Sequence, residues 1–143
     1  FVVPPFGGVW EGRGVRFRNA ANAGRKVSGN ANSWSVSIQC MVTGSQAATD
    51  KQMRDASAVI GWLRDLGMQV VIGTHQDVDW TSCAGTGIVP QVRAGLFEPT
   101  RWGYPFTPPA PPASCSTISL EVLSLTVSIS ASRLWIERAR PGW

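Results

Sequence analysis

Apolar and polar positions alternate strictly from Trp34 to Cys40, with Trp34, Val36, Ile38 and Cys40 separated by Ser35, Ser37 and Gln39. A period of two predicts a strand with one buried face. The period changes after Thr49. Met53, Ala56, Ile60 and Leu63 recur at spacings of three and four, one apolar stripe along a helix. Thr49 and Gln52 form a capping box at its start, and Gly67 suits its C-terminal cap. Residues 68–72 are a second apolar run, which predicts the next strand, ending at Gly73. A short helix is expected over residues 88–97, with Pro90 in its first turn. Nearer the start, residues 1–3, 4–8 and 9–14 read as strand, tight turn and strand. Residues 18–33 are rich in Asn, Ala, Gly and Ser and read as a loop.

After Phe97 the pattern breaks. Pro99, Pro105, Pro108, Pro109, Pro111 and Pro112 predict an extended linker over residues 98–116. Beyond it Ile118, Leu120 and Val122 alternate in one phase, and Leu123, Leu125, Val127, Ile129 and Ala131 in the other. Leu134 and Ile136 restore the first phase, so a bulge or turn between two strands is expected. A two-stranded ribbon is marginal in water. Residues 117–143 are therefore expected to pair elsewhere, with a partner protein or a second copy meeting residues 117–137. The predicted organisation is an α/β domain over residues 1–97, a linker over 98–116 and a β-strand tail over 117–143.

At 143 residues, 43% of them hydrophobic and 15% charged, the chain suits one globular domain with a real core and an appendage. The net charge of +4 is modest. Arg13, Arg16, Arg18, Arg25 and Lys26 cluster early, and Arg133, Arg138 and Arg140 late, a solvated basic face or an attraction to a polyanion. Three cysteines, an odd number, argue against a disulfide framework. Cys40 reads as a buried small hydrophobe and Cys115 as a free thiol. No apolar run reaches the roughly 20 residues that a membrane-spanning helix needs. With Tyr104 as the one tyrosine, base-stacking recognition of nucleic acid gains no support.

Candidate chemistry centres on His75, the one histidine, and Cys83, eight residues later. A strand that delivers a histidine into a loop, with a thiolate returning beside it, supplies two ligands suited to Zn2+. A catalytic zinc normally takes three protein ligands and keeps a fourth position for water.

The order of motifs resembles the zinc-dependent N-acetylmuramoyl-L-alanine amidases, the family of phage amidase endolysins and peptidoglycan recognition proteins. Val9-Trp10-Glu11-Gly12-Arg13-Gly14 is similar to that family's V-Y-E-G-R-G hairpin, and residues 32–39 to its N-x-x-S-I-G-I-E strand. Residues 49–66 resemble its capped helix, with Trp62-Leu63 for the W-L often found there. Gly73-Thr74-His75-Gln76-Asp77 is similar to G-H-R-D with one insertion, and Thr81-Ser82-Cys83-Ala84-Gly85 to T-x-C-P-G. The likeness covers residues 1–97.

That resemblance implies a mixed central β-sheet flanked by helices, and zinc-dependent hydrolysis of the N-acetylmuramoyl-L-alanine amide bond of peptidoglycan. It makes His75 and Cys83 the second and third zinc ligands, expected to converge at one end of the sheet, and Thr81 a group that steadies the oxyanion. Trp10 stands where the family has a tyrosine that assists the water. Asn22 stands where it has a histidine near the substrate, so Asn22 and Arg13 become candidate substrate-binding positions. The first histidine ligand of the family would precede Phe1, on a segment upstream of this sequence. With two ligands and Trp10, the chain alone is expected to release little or no peptide. The alternative is a degenerate amidase fold serving as a wall-binding or structural module of a phage particle. Either reading places the protein at the bacterial cell wall or in a phage virion, with peptidoglycan as partner.

Overall fold

A computed structural model describes residues 1–104 and the strand segment 124–131. Four strands make one sheet: β1 (Val2–Val3), β2 (Ser35–Cys40), β3 (Gln69–Thr74) and β4 (Ser124–Ala131), in the order β1-β2-β4-β3. All the strand pairs are parallel. The α/β class expected from the sequence is present, but the mixed sheet is not seen among the described residues. The antiparallel hairpin expected over residues 1–14 is reduced to a single bridge. Val2 and Trp10 exchange backbone bonds of 2.8 and 2.9 Å, and residues 9–14 form no second strand.

The tail strand is the main departure. Residues 124–131 were expected to meet another chain, yet β4 lies inside the chain's own sheet, between β2 and β3. Its register aligns Val127, Ile129 and Ala131 with Val36, Ile38 and Cys40, and Thr126, Ser128 and Ser130 with Ser35, Ser37 and Gln39. The physical reason is a gap. The helix that joins β2 to β3 leaves room for one strand between them, and parallel insertion needs a long connection. Residues 105–123 are long enough to supply it. Both edges of β4 are occupied, so residues 124–131 offer no free edge for a partner or a homo-oligomer. The prolines from 105 to 112, Cys115, the strand expected at 118–122, and Leu134 and Ile136 lie outside the described residues.

Helix α1 (Asp50–Asp65) follows the expected stripe, and Met53, Ala56, Ile60 and Leu63 are all buried. Its capping box is formed: Gln52 N–H donates to Thr49 Oγ1 (3.2 Å) and Thr49 N–H to Gln52 Oε1 (3.1 Å). Gln52 Nε2 then donates to the Val3 carbonyl at 2.9 Å, which fastens the helix to β1. At the other end Gly67 N–H reaches Arg64 O and Met68 N–H reaches Leu63 O, the Schellman pair of bonds. That motif needs a left-handed residue, and Gly67 provides it at φ 81°.

Helix α2 is the single turn His75–Val78, and α3 runs Gly85–Arg93. Helix α3 starts earlier than the pattern predicts, so Pro90 falls inside it and not in its first turn. Ile88 and Val92 of α3 join Val36, Ile38 and Cys40 of β2, the α1 stripe and Phe97 in one core. Burial pushes the Cys40 thiol up to about 12, as suits an inert core cysteine.

Residues 98–104, expected to begin the linker, belong to the domain. Pro99–Trp102 is a 3-10 turn with Pro99 buried. Ser57 Oγ donates to Phe97 O at 2.8 Å, Trp102 Nε1 to Leu96 O at 3.0 Å, and Arg64 pairs with Glu98 at 2.9 Å. Among the described residues no helix is long and apolar enough to cross a membrane.

Candidate functional site

The His75 turn sits at the C-terminal end of β3, an edge strand. Two carboxylates fix it. Asp77 accepts from the Thr74 backbone N–H (2.6 Å) and hydroxyl (2.9 Å), and it pairs with Arg93 of α3. Asp79 accepts from Arg25 Nε at 2.6 Å and from the Trp80 N–H at 2.8 Å. The loop of residues 18–33 clamps the turn from outside. Lys26 N–H donates to Val78 O (3.0 Å), Lys26 Nζ to Gln76 O (2.7 Å), and the ammonium lies 4.4 Å from the centre of the exposed Trp80 ring. Sequence reading treated residues 18–33 as loop alone; the adjacent Arg25-Lys26 pair was its one visible hint of this role.

His75 itself is mostly covered. Its Nε2 is buried, makes no hydrogen bond among the described residues, and lies 3.7 Å from Asp79 Oδ2. Burial holds its pKa below the ordinary value, against the pull of Asp79. For Asp77, burial pushes upward, but the bonds from Thr74 and Arg93 outweigh it and the pKa falls. The Arg25 hydrogen bond lowers Asp79 as well.

These shifts set the acid response. A buried imidazole with a lowered pKa leaves the unfolded chain to take up the proton first. Its contribution is intact above the unfolded value of 6.5 and drains as pH falls toward the folded pKa. The two aspartates contribute fully above about 3.9, the ordinary carboxylate value, and lose that contribution as pH falls through their folded values. Urea midpoints measured from pH 8 to pH 3 are therefore expected to fall in two stages. His75→Asn should flatten the first stage and spare the second. A midpoint that rose between pH 7 and pH 5 would contradict this account.

Cys83 is half-buried at the far end of the same loop, and its N–H donates to Thr81 Oγ1 at 3.1 Å. Gln76 Nε2 donates to Ser82 O at 3.2 Å, which ties the two ends of the loop together. Three of the positions named from sequence thus lie on one loop, residues 75–83.

The other three lie elsewhere. Trp10 is 68% exposed and bridges to Val2 outside β1, at the sheet edge opposite β3. At roughly 4.8 Å per strand, its backbone is about 19 Å from β3, too far for an indole to serve the His75 turn. Asn22 is buried (1% exposed), and its Nδ2 donates to Ser35 Oγ (3.0 Å) and Ser37 Oγ (3.1 Å). That side chain is a clamp between loop and strand, not a surface for substrate. Arg13 is exposed and donates to Arg18 O at 3.3 Å, on the β2 side of the molecule.

A buried nitrogen that makes no hydrogen bond among the described residues, with a carboxylate 3.7 Å away, could serve as a metal ligand. The donor set is nonetheless short. Among the described residues no three His, Cys, Asp or Glu side chains gather as ligands for one ion. Comparison with family models, curated proteins and solved structures found no match to this chain.

Proposed function

We propose that this is an amidase-like domain directed at bacterial peptidoglycan, and that this chain engages the polymer without cutting it. The observation that carries the reading is the His75 Nε2, buried at the end of β3 without a hydrogen bond among the described residues, in a loop that runs through Thr81 to Cys83. The order of the five motifs supports the same family. Trp10 at the far sheet edge, Asn22 consumed by serines, and a donor set of two support engagement without hydrolysis. In this reading the protein works at the cell wall or in a phage particle. The buried nitrogen also favours a second reading, a full zinc amidase completed by a histidine upstream of Phe1.

Zinc retention and peptide release separate the two. The chain is expected to sediment with purified sacculi, to release no peptide from them, and to lose Zn2+ readily to a competing chelator. His75→Ala and Cys83→Ser should each abolish the residual zinc binding while leaving sedimentation intact. Tight zinc retention together with chelator-sensitive peptide release would establish the complete enzyme instead.

A further inference from the structure

The sheet face opposite α1 and α3 carries a second feature at β2. Two adjoining cavities, of about 250 and 310 Å3, run beside that strand and share Gly14, Asn19 and Val36 as a common wall. Arg13 lines the first, and Arg16 and Arg18 line the second. Arg13 Nη1 donates to the Arg18 carbonyl at 3.3 Å and closes this short loop, so three guanidinium groups crowd onto six residues. All three are exposed, and none is in an ion pair among the described residues. Among the described residues one carboxylate comes close: Glu11 Oε1 lies against Gly14, in the wall that the two cavities share. Glu11 also borders a separate apolar groove, so its one negative charge faces three guanidinium groups. Between the charges the second cavity offers the Asn32 amide and the Ser33 hydroxyl, whereas in the first Asn19 and Ser37 are hydrogen-bonded to each other at 2.6 Å.

We infer that this loop is a binding site for an anionic polymer whose repeating units are polyols or sugars joined by phosphodiesters. Each part of the lining answers one part of such a chain. Guanidinium forks take phosphate oxygens in paired hydrogen bonds. The Asn32 amide and Ser33 hydroxyl take hydroxyls of the intervening unit. Two cavities with a shared wall fit successive units, and charge at both matches one phosphate per unit. A nucleic acid would instead need a succession of aromatic platforms for its bases, and Phe17 is the single exposed ring in the lining. This site stands apart from the His75 turn and does not depend on the peptidoglycan reading.

The test uses the whole chain and fluorescent poly(glycerol phosphate), with single-stranded DNA and polyglutamate of equal charge as comparisons. Poly(glycerol phosphate) is expected to bind at least 10-fold more tightly than either. Replacing Arg13, Arg16 and Arg18 by Gln together should weaken it at least 10-fold. It should also reduce the salt slope by about 2, since each phosphate contact on a flexible chain contributes roughly 0.7. Arg101→Gln, on the exposed turn after Phe97, should change neither quantity, and circular dichroism should show all variants folded. Equal binding of DNA or polyglutamate would overturn the proposal, as would an unaffected triple variant or an equal loss in Arg101→Gln. Sacculi stripped of anionic polymer should still bind if the peptidoglycan reading holds, so each idea can fail without the other.

Discussion

A chain ended at residue 113 is expected not to fold. Strand β4 supplies the middle of the sheet, and without it β2 and β3 lose their shared neighbour over Ser35–Cys40 and Gln69–Thr74. The parallel registers on its two sides imply roughly a dozen ladder hydrogen bonds, each worth about 0.5–1.5 kcal/mol net. Their sum, on the order of 10 kcal/mol, matches the whole stability of a typical domain, about 5–15 kcal/mol. Two inner edges would also open at once, an invitation to aggregation. The expected observations are a collapsed near-ultraviolet signal, loss of a cooperative thermal transition, and elution in the void volume. Adding a peptide of residues 117–137 in trans should restore part of the cooperative transition. A shortened chain that stayed monomeric and melted cooperatively would show that β4 is dispensable.

That result would also explain why the sequence was legible in some places and opaque in others. Helix α1 was readable to its caps, because the Thr49–Gln52 box, the apolar stripe and Gly67 are all local signals. The strands β2 and β3 were readable from their own periodicity. The neighbour of β4 was not, since alternation at residues 123–131 specifies a strand and a buried face but no partner. A proline-rich approach suggested distance, yet parallel insertion needs just such a long connection. Helix α2 is too short for any period to register. The start of α3 was missed because Gly85 and Gly87 read as loop, whereas they are there for close backbone approach. At the site, His75, Thr81 and Cys83 share one loop because they are neighbours in sequence. Trp10 and Asn22 were assigned by resemblance alone, and strand order separates the first from the turn while two serines occupy the second.

Gly87→Ala is expected to destabilise the protein by about 3 kcal/mol, the upper end of the usual overpacking penalty. Helix propensity alone would give the opposite sign, since alanine inside a helix normally gains about 0.5–1 kcal/mol over glycine. The deciding fact is contact. A β-carbon at Gly87 would lie 2.0 Å from Gln46 O and 2.1 Å from Gln46 C, both backbone atoms that no rotamer change can move. The segment bearing Gln46 is itself held, because Gln91 of α3 exchanges hydrogen bonds of 2.8 and 2.9 Å with Ala48 just beyond it. Relief would require α3 to tilt away and expose Ile88 and Val92. Gly61→Ala in α1 is the matched comparison. Its β-carbon would meet only Pro99, at 3.7 and 3.9 Å, ordinary van der Waals distances. That substitution should stabilise slightly, so one chemical change is expected to have opposite signs in two helices. Urea denaturation of both variants measures this directly, with a melting temperature for Gly87→Ala lower by roughly 10 °C. Equal or reversed effects would mean that α3 does not press against residues 44–47 as described.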